Sequence, residues 1–182
     1  MLRKILIASI AAFLLAGMLL VLLTCMGNDK GKVESSLGSD LDGIGNGQPE
    51  ALEMLGEQLA VGEQFGVAPG ALAAVWFEGY AYEVDDVVVD GETATAEVTI
   101  TSRRLQPAIE KALPQIAAVM DDPPDDADLD ALYAQCGQIL LDSLAGEPLV
   151  TTTLTLTYHL EDGTWVMDTT SKKALSLALM GR

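Results

Sequence analysis

Few side chains in this sequence are equipped for chemistry. There is one histidine, His159, and there are two cysteines, Cys25 and Cys136. A hydroxyl or thiol nucleophile needs a base beside it, and His159 is the imidazole available for that role. It continues the alternating row Thr153, Thr155, Thr157, which marks it as an exposed residue of a strand. Cys136 falls on the apolar stripe of a helical pattern and reads as a packed thiol. One histidine and one spare cysteine do not assemble a zinc site. The chain carries neither a phosphate-binding loop nor a dinucleotide fingerprint.

Carboxylates are the remaining reactive groups. Asp85 and Asp86 lie close in sequence to Tyr80 and Tyr82, and an aspartate base facing a tyrosine oxyanion donor is a known arrangement for proton abstraction. Asp85 and Asp86 therefore define an enzymatic alternative, a small pocket enzyme. They also stand where a strand pattern breaks, and polar residues are ordinary at such a break. Asp126, Asp128 and Asp130 have the D-x-D-x-D spacing that opens a calcium loop. The loop would next need Gly and then a glutamate at its twelfth position, where this chain has Ala131 and Gly137. Asp128 is better read as the N-cap of the helix that follows. The expectation is no catalytic residue, no metal and no cofactor, with the ligand-binding residues left open.

The elements that position these groups follow from periodicity. Tyr80, Tyr82 and Val84 alternate, and so do Val87 and Val89, so a bulge at Asp85-Asp86 restores one apolar face. Asp90-Gly91 turns the chain. The return strand sets Ala94, Ala96, Val98 and Ile100 against Thr93, Thr95, Thr99 and Thr101. A second hairpin has Leu154, Leu156, Tyr158 and Leu160 on one face, turns at Asp162-Gly163, and continues with Trp165 and Met167. Thr93, Thr95, Thr99, Thr153, Thr155 and Thr157 form a hydroxyl-rich face, which suits a solvated sheet or, alternatively, a glycan or protein contact.

Helices are predicted over Pro49–Gly62, Ala71–Phe77 and Leu105–Met120, with a kink at Pro114. Further helices cover Leu129–Leu144 and Ser171–Met180. In the Leu105–Met120 helix the expected apolar stripe is Leu105, Ile109, Leu113, Ile116 and Met120. The fold class is α+β: a four-stranded curved antiparallel sheet packed against helices over residues 49–182.

Two further segments precede that domain. Ile5 to Thr24 is an uncharged apolar run behind Arg3 and Lys4, and about 20 helical residues span the hydrocarbon of a bilayer. It reads as a transmembrane or signal helix, with residues 1–25 forming a signal peptide or membrane anchor. Leu22-Leu23-Thr24-Cys25 resembles the bacterial lipobox, which implies lipidation at Cys25. Leu23 and Thr24 are bulkier than that motif prefers, and the run is longer than an ordinary signal core. A retained helix and a lipidated cysteine both stay open. Residues 26–48 are rich in Gly, Ser, Asp and Asn and read as a flexible linker. The net charge is −17, with 27 acidic residues against ten basic. Such a chain repels phosphate backbones, so no nucleic-acid partner is expected.

The segments YEVDDVVVDGETATAEVTITS, TLTLTYHLEDGTWVMD and KKALSLALMGR resemble small extracytoplasmic lipoprotein domains of Gram-positive bacteria, of unknown function, with a cystatin-like or nuclear-transport-factor-like cone fold. The likeness covers about residues 48–182. It implies lipoprotein placement and a sheet wrapped around helices, and it carries over no catalytic residue. The functional expectation is a membrane-anchored extracytoplasmic binding or interaction domain at the cell membrane. Its partners would be the membrane, through the N-terminal segment, and an envelope protein or small ligand. The alternatives are the pocket enzyme and a structural part of the cell envelope. Fatty-acid labelling tests the placement: wild type should take up label and Cys25→Ala should not, and equal label in both would defeat the lipoprotein reading.

Overall fold

Alternation along four segments builds one antiparallel sheet. Strands β1 (Ala81–Asp90), β2 (Thr93–Ser102), β3 (Val150–Glu161) and β4 (Thr164–Met167) lie in the order β1-β2-β3-β4. The computed structural model describes residues 29–121 and 128–182. The bulge is where the broken period puts it. Val84 pairs with Val98 and Asp86 pairs with Glu97, so Asp85 is the extra residue. Val87 therefore returns to the apolar face and is buried. Gly91 at the first hairpin has a φ of 61°, and Asp162 and Gly163 at the second have φ of 49° and 83°. At the second hairpin both loop positions are left-handed, and at the first Gly91 is; such turns match the twist of the strands they join.

The apolar face of the sheet carries Ala94, Ala96, Val98 and Ile100 from β2 and Leu156 and Tyr158 from β3, all buried. Helices cover this face. They are α1 (residues 29–45), α2 (Pro49–Leu52), a 3-10 turn (Glu53–Leu55), α3 (Gly56–Glu63) and α4 (Pro69–Trp76) before the sheet begins. The long helices α5 (Leu105–Asp121) and α6 (Leu129–Ala145) lie between the hairpins, and α7 (Thr169–Met180) follows β4. The other sheet face bears the threonines, and among the described residues no helix covers it; Thr95, Thr151, Thr153 and Thr155 are exposed.

The expected linker is the main correction. Residues 29–45 are helical, and Val33, Leu37, Leu41 and Ile44 are buried to within 1% of complete. Their spacing of four, four and three places them on one helical face. The intervening Gly, Ser and Asp residues hid that stripe in a composition typical of a tether. Burying each such side chain contributes about 1.5–3 kcal/mol, so α1 belongs to the core and the domain starts no later than residue 29.

Smaller corrections follow from packing. The helix expected over Pro49–Gly62 is interrupted by the 3-10 turn, and Leu55 leaves helical geometry with φ −105° and ψ 12°. Helix α5 continues through Pro114, which lies on its exposed side. Its buried stripe is Leu105, Ala108, Ala112 and Ile116, rotated towards the alanines, so that Leu113 and Met120 are exposed. Small residues allow closer helix approach, and the larger ones turn outward. Leu129 of α6 is likewise 65% exposed. At Gly137 an added Cβ would come within 2.7 Å of the Phe65 carbonyl oxygen and 2.8 Å of a Val67 methyl. The absent side chain lets the α3–α4 loop rest on α6.

Among the described residues no helix is long and apolar enough to cross a membrane. The apolar run Ile5–Thr24, Cys25 and most of the Pro-rich acidic break lie outside the described residues. Leu37→Ala and Leu41→Ala should each lower stability by about 2–5 kcal/mol in urea denaturation. A change below about 0.5 kcal/mol, as expected of an exposed tether, would contradict the placement of α1.

Candidate functional site

Helix α1 is fixed to the sheet by two tyrosine–aspartate hydrogen bonds as well as by its apolar stripe. Tyr158 on β3 donates from its hydroxyl to Asp40 Oδ2 at 3.0 Å. Tyr82 on β1 donates to Asp42 Oδ1 at 2.9 Å. The two aspartates lie on either side of the buried Leu41 and reach different strands. Tyr158 is fully buried, so its hydroxyl needs this acceptor.

Asp40 also lines a half-open cavity of about 750 Å³ between α1, the α2–α3 segment and α7, with Met167 from the end of β4. Pockets for drug-sized ligands span roughly 300–1,000 Å³. Its apolar lining comes from Ile44, Met54, Met167 and Leu177. Three carboxylates, Asp40, Glu53 and Glu57, line the α1 and α2–α3 side. Three cations, Lys172, Lys173 and Arg182, line the side built by α7 and the residues after it. Among the described residues none of these six side chains forms an ion pair. Gln58 also lines the cavity, and among the described residues its side-chain oxygen is buried without a hydrogen-bond partner.

Local sequence explains the walls. Asp168 caps α7 by accepting from the Ser171 amide at 2.6 Å, which starts the helix so that Lys172 and Lys173 follow within its first turn. The Ser171 hydroxyl accepts from the Thr157 amide at 2.8 Å and ties this turn to β3. Gly181 closes α7 with a φ of 87°, which only glycine adopts readily, and Arg182 follows it. On the opposite wall, the 3-10 turn brings Glu53 and Met54 to the cavity.

Burial raises the pKa of Asp40 above the ordinary carboxylate value; the Tyr158 hydrogen bond and the nearby charge of Lys172 act against that rise. Burial also pushes the Tyr158 phenol far upward, with the Asp40 charge and hydrogen bond adding to it, so this hydroxyl stays protonated and donating. The Tyr80 phenol is raised for the same first reason, and its oxygen is buried without a partner.

The residues singled out in the sequence are not gathered here. Asp85 lies on the threonine face and accepts from Thr99 at 2.7 Å. Asp86 takes its own neighbour's amide, Val87 N, at 2.8 Å and faces Lys30 at 3.6 Å. Neither meets Tyr80 or Tyr82, because Tyr82 is engaged by Asp42. Two hydroxyl pairs cross strands on the threonine face, Thr99 with Thr153 and Thr101 with Thr151, both at 3.1 Å. His159 stands on that face, 3.4 Å from Thr93 Oγ1 and 3.9 Å from Asp168. Cys136 is a buried free thiol. Asp128 caps α6 through the Asp130 amide at 3.0 Å, and among the described residues no cluster of three or more metal-ligating side chains forms. Sequence reasoning missed the cavity acids because Asp40 fell in the supposed linker and Glu53 and Glu57 looked like solvated helix residues. The adjacent pair Lys172-Lys173 was the visible signal, two of only eight cations after Cys25.

No family model matches the chain and no curated protein matches it. Among solved structures it is similar to TsrD from Streptomyces laurentii, at 16% identity over 81% of this chain and 96% of that one. The TM-score is 0.39, too low to assign a shared fold.

Removing the Tyr158 hydroxyl tests the α1 clamp. Tyr158→Phe should cost about 1–3 kcal/mol at neutral pH, because it leaves a partly buried carboxylate short of a donor. The raised pKa of Asp40 means that the folded state binds its proton more tightly than the unfolded chain does. Its contribution is therefore most favourable below the ordinary carboxylate pKa and is lost as pH rises through the folded value. In urea midpoints measured between acid and neutral pH, Asp40→Asn should flatten that loss relative to wild type, and Tyr158→Phe should steepen it.

Proposed function

We propose that this chain is a membrane-anchored extracytoplasmic binding domain whose small ligand occupies the cavity between α1, the α2–α3 segment and α7. The carrying observation is the cavity itself, about 750 Å³ with an apolar floor and charged walls. Its volume and mixed lining are those of a pocket that binds a drug-sized ligand. The anchor is either a lipid on Cys25 or a retained helix over Ile5–Thr24, and the positive residues before that segment favour a cytoplasmic N-terminus. The four-stranded sheet wrapped on one side by helices is compatible with the cystatin-like cone architecture of the lipoprotein domains that the sequence resembles. Helix α1 begins no later than residue 29, so in this reading the domain is held close to the bilayer rather than on a long tether.

The reading is non-catalytic. Asp40 is the cavity carboxylate held most firmly, and its hydrogen bond to Tyr158 gives it a structural task. The test uses N-phenylnaphthylamine, a neutral fluorophore that brightens in apolar cavities. Wild type should enhance its fluorescence saturably, and Leu177→Trp and Thr169→Trp, which fill the cavity from its rim, should each weaken binding by about tenfold. Enhancement equal in all three proteins would sink the assignment to this cavity.

A further inference from the structure

We infer that the ligand of this cavity is zwitterionic and carries an apolar portion. The inference rests on the binding-domain reading above and specifies its ligand. A chain with net charge −17 presents almost everywhere a surface that repels anions and holds cations loosely. The cavity departs from that surface. Its lining carries three carboxylates and three cations, and three of the eight basic residues after Cys25 converge on it. The signs are segregated: Glu53 and Glu57 stand on the α2–α3 side, and Lys172 and Lys173 on α7.

Among the described residues the two walls do not neutralise one another through ion pairs. A purely anionic ligand would meet Lys172 and Lys173 but also face the carboxylates. A purely cationic one would face the lysines. A molecule bearing both charges complements both walls, and like-charge contact penalises each singly charged relative.

The acidic wall formed by Glu53 and Glu57 receives the ligand's cationic group. The ligand's anionic group then lies towards Lys172 and Lys173, and its apolar part against Ile44, Met54 and Met167. Two sources share this chemistry: a zwitterionic lipid with its headgroup in the cavity, and a free peptide of apolar residues with both termini charged.

Isothermal titration calorimetry on the full chain tests the inference with two probe series. The first is decylphosphocholine, decyl phosphate and decyltrimethylammonium, each held below its micelle concentration. The second is the dipeptide Leu-Leu, its N-acetyl form and its C-terminal amide. In at least one series the zwitterion should bind about tenfold or more tighter than both singly charged relatives, and that series identifies the source. Lys172→Gln with Lys173→Gln, and separately Glu53→Gln with Glu57→Gln, should each erase the preference. The acidic-wall variant should also bind the anionic probe more tightly than wild type does. These four positions are exposed, so the variants should remain folded. Equal binding of all members within both series overturns the zwitterion inference and leaves the cavity reading intact. Binding by no probe also overturns it, and N-phenylnaphthylamine fluorescence then decides whether the cavity reading falls with it.

Discussion

Helix α1 is pressed onto the apolar face of the sheet by Val33, Leu37, Leu41 and Ile44, and the rest of the domain is arranged around that contact. A sheet with one apolar face must bury it. Here the covering helix comes from the segment before the first strand, so the contact joins residues far apart in sequence. Two hydrogen bonds set how the helix lies: Asp40 is reached from β3 and Asp42 from β1. Hydrophobic burial supplies the attraction and has no direction. The tyrosine–aspartate pairs supply the direction.

The cavity is a consequence of that placement. Asp40 belongs at once to the clamp and to the cavity wall, so structure and candidate site share a residue. The capped start of α7 sets Lys172 and Lys173 across from the acidic side. A chain whose charge is overwhelmingly negative thereby brings three carboxylates and three cations to one half-open space.

Placement at a membrane would give this arrangement a simple geometry. The core helix α1 starts within a few residues of the apolar segment's end, so an anchored domain has little free chain between itself and the bilayer. The open threonine face carries the cross-strand pairs Thr99–Thr153 and Thr101–Thr151 and the bulge with Asp85. The cavity lies on the opposite, helix-covered side.

Much of the fold could be read from local pattern. The four strands, the bulge at Asp85, both turns and the N-cap at Asp128 depend on residues within a few positions of one another, and a period of two or a turn dipeptide reports them directly. Helix α1 escaped because four apolar residues among Gly, Ser and Asp make a weak local signal, and only the sheet beneath them makes their burial worthwhile. The shifted stripe of α5 has the same origin, since alanines win a close interface that periodicity assigns to leucines. The cavity was beyond local reading altogether. Asp40, Glu53 and Lys172 lie on separate elements, and their convergence depends on how helices dock. The sequence by itself determined which segments become strands, where they turn, and that the chain is acidic with an apolar segment at its start. Tertiary structure alone decided that the apparent linker is core and that charges of both signs meet around one space, because those outcomes rest on contacts between distant residues rather than on spacing along the chain.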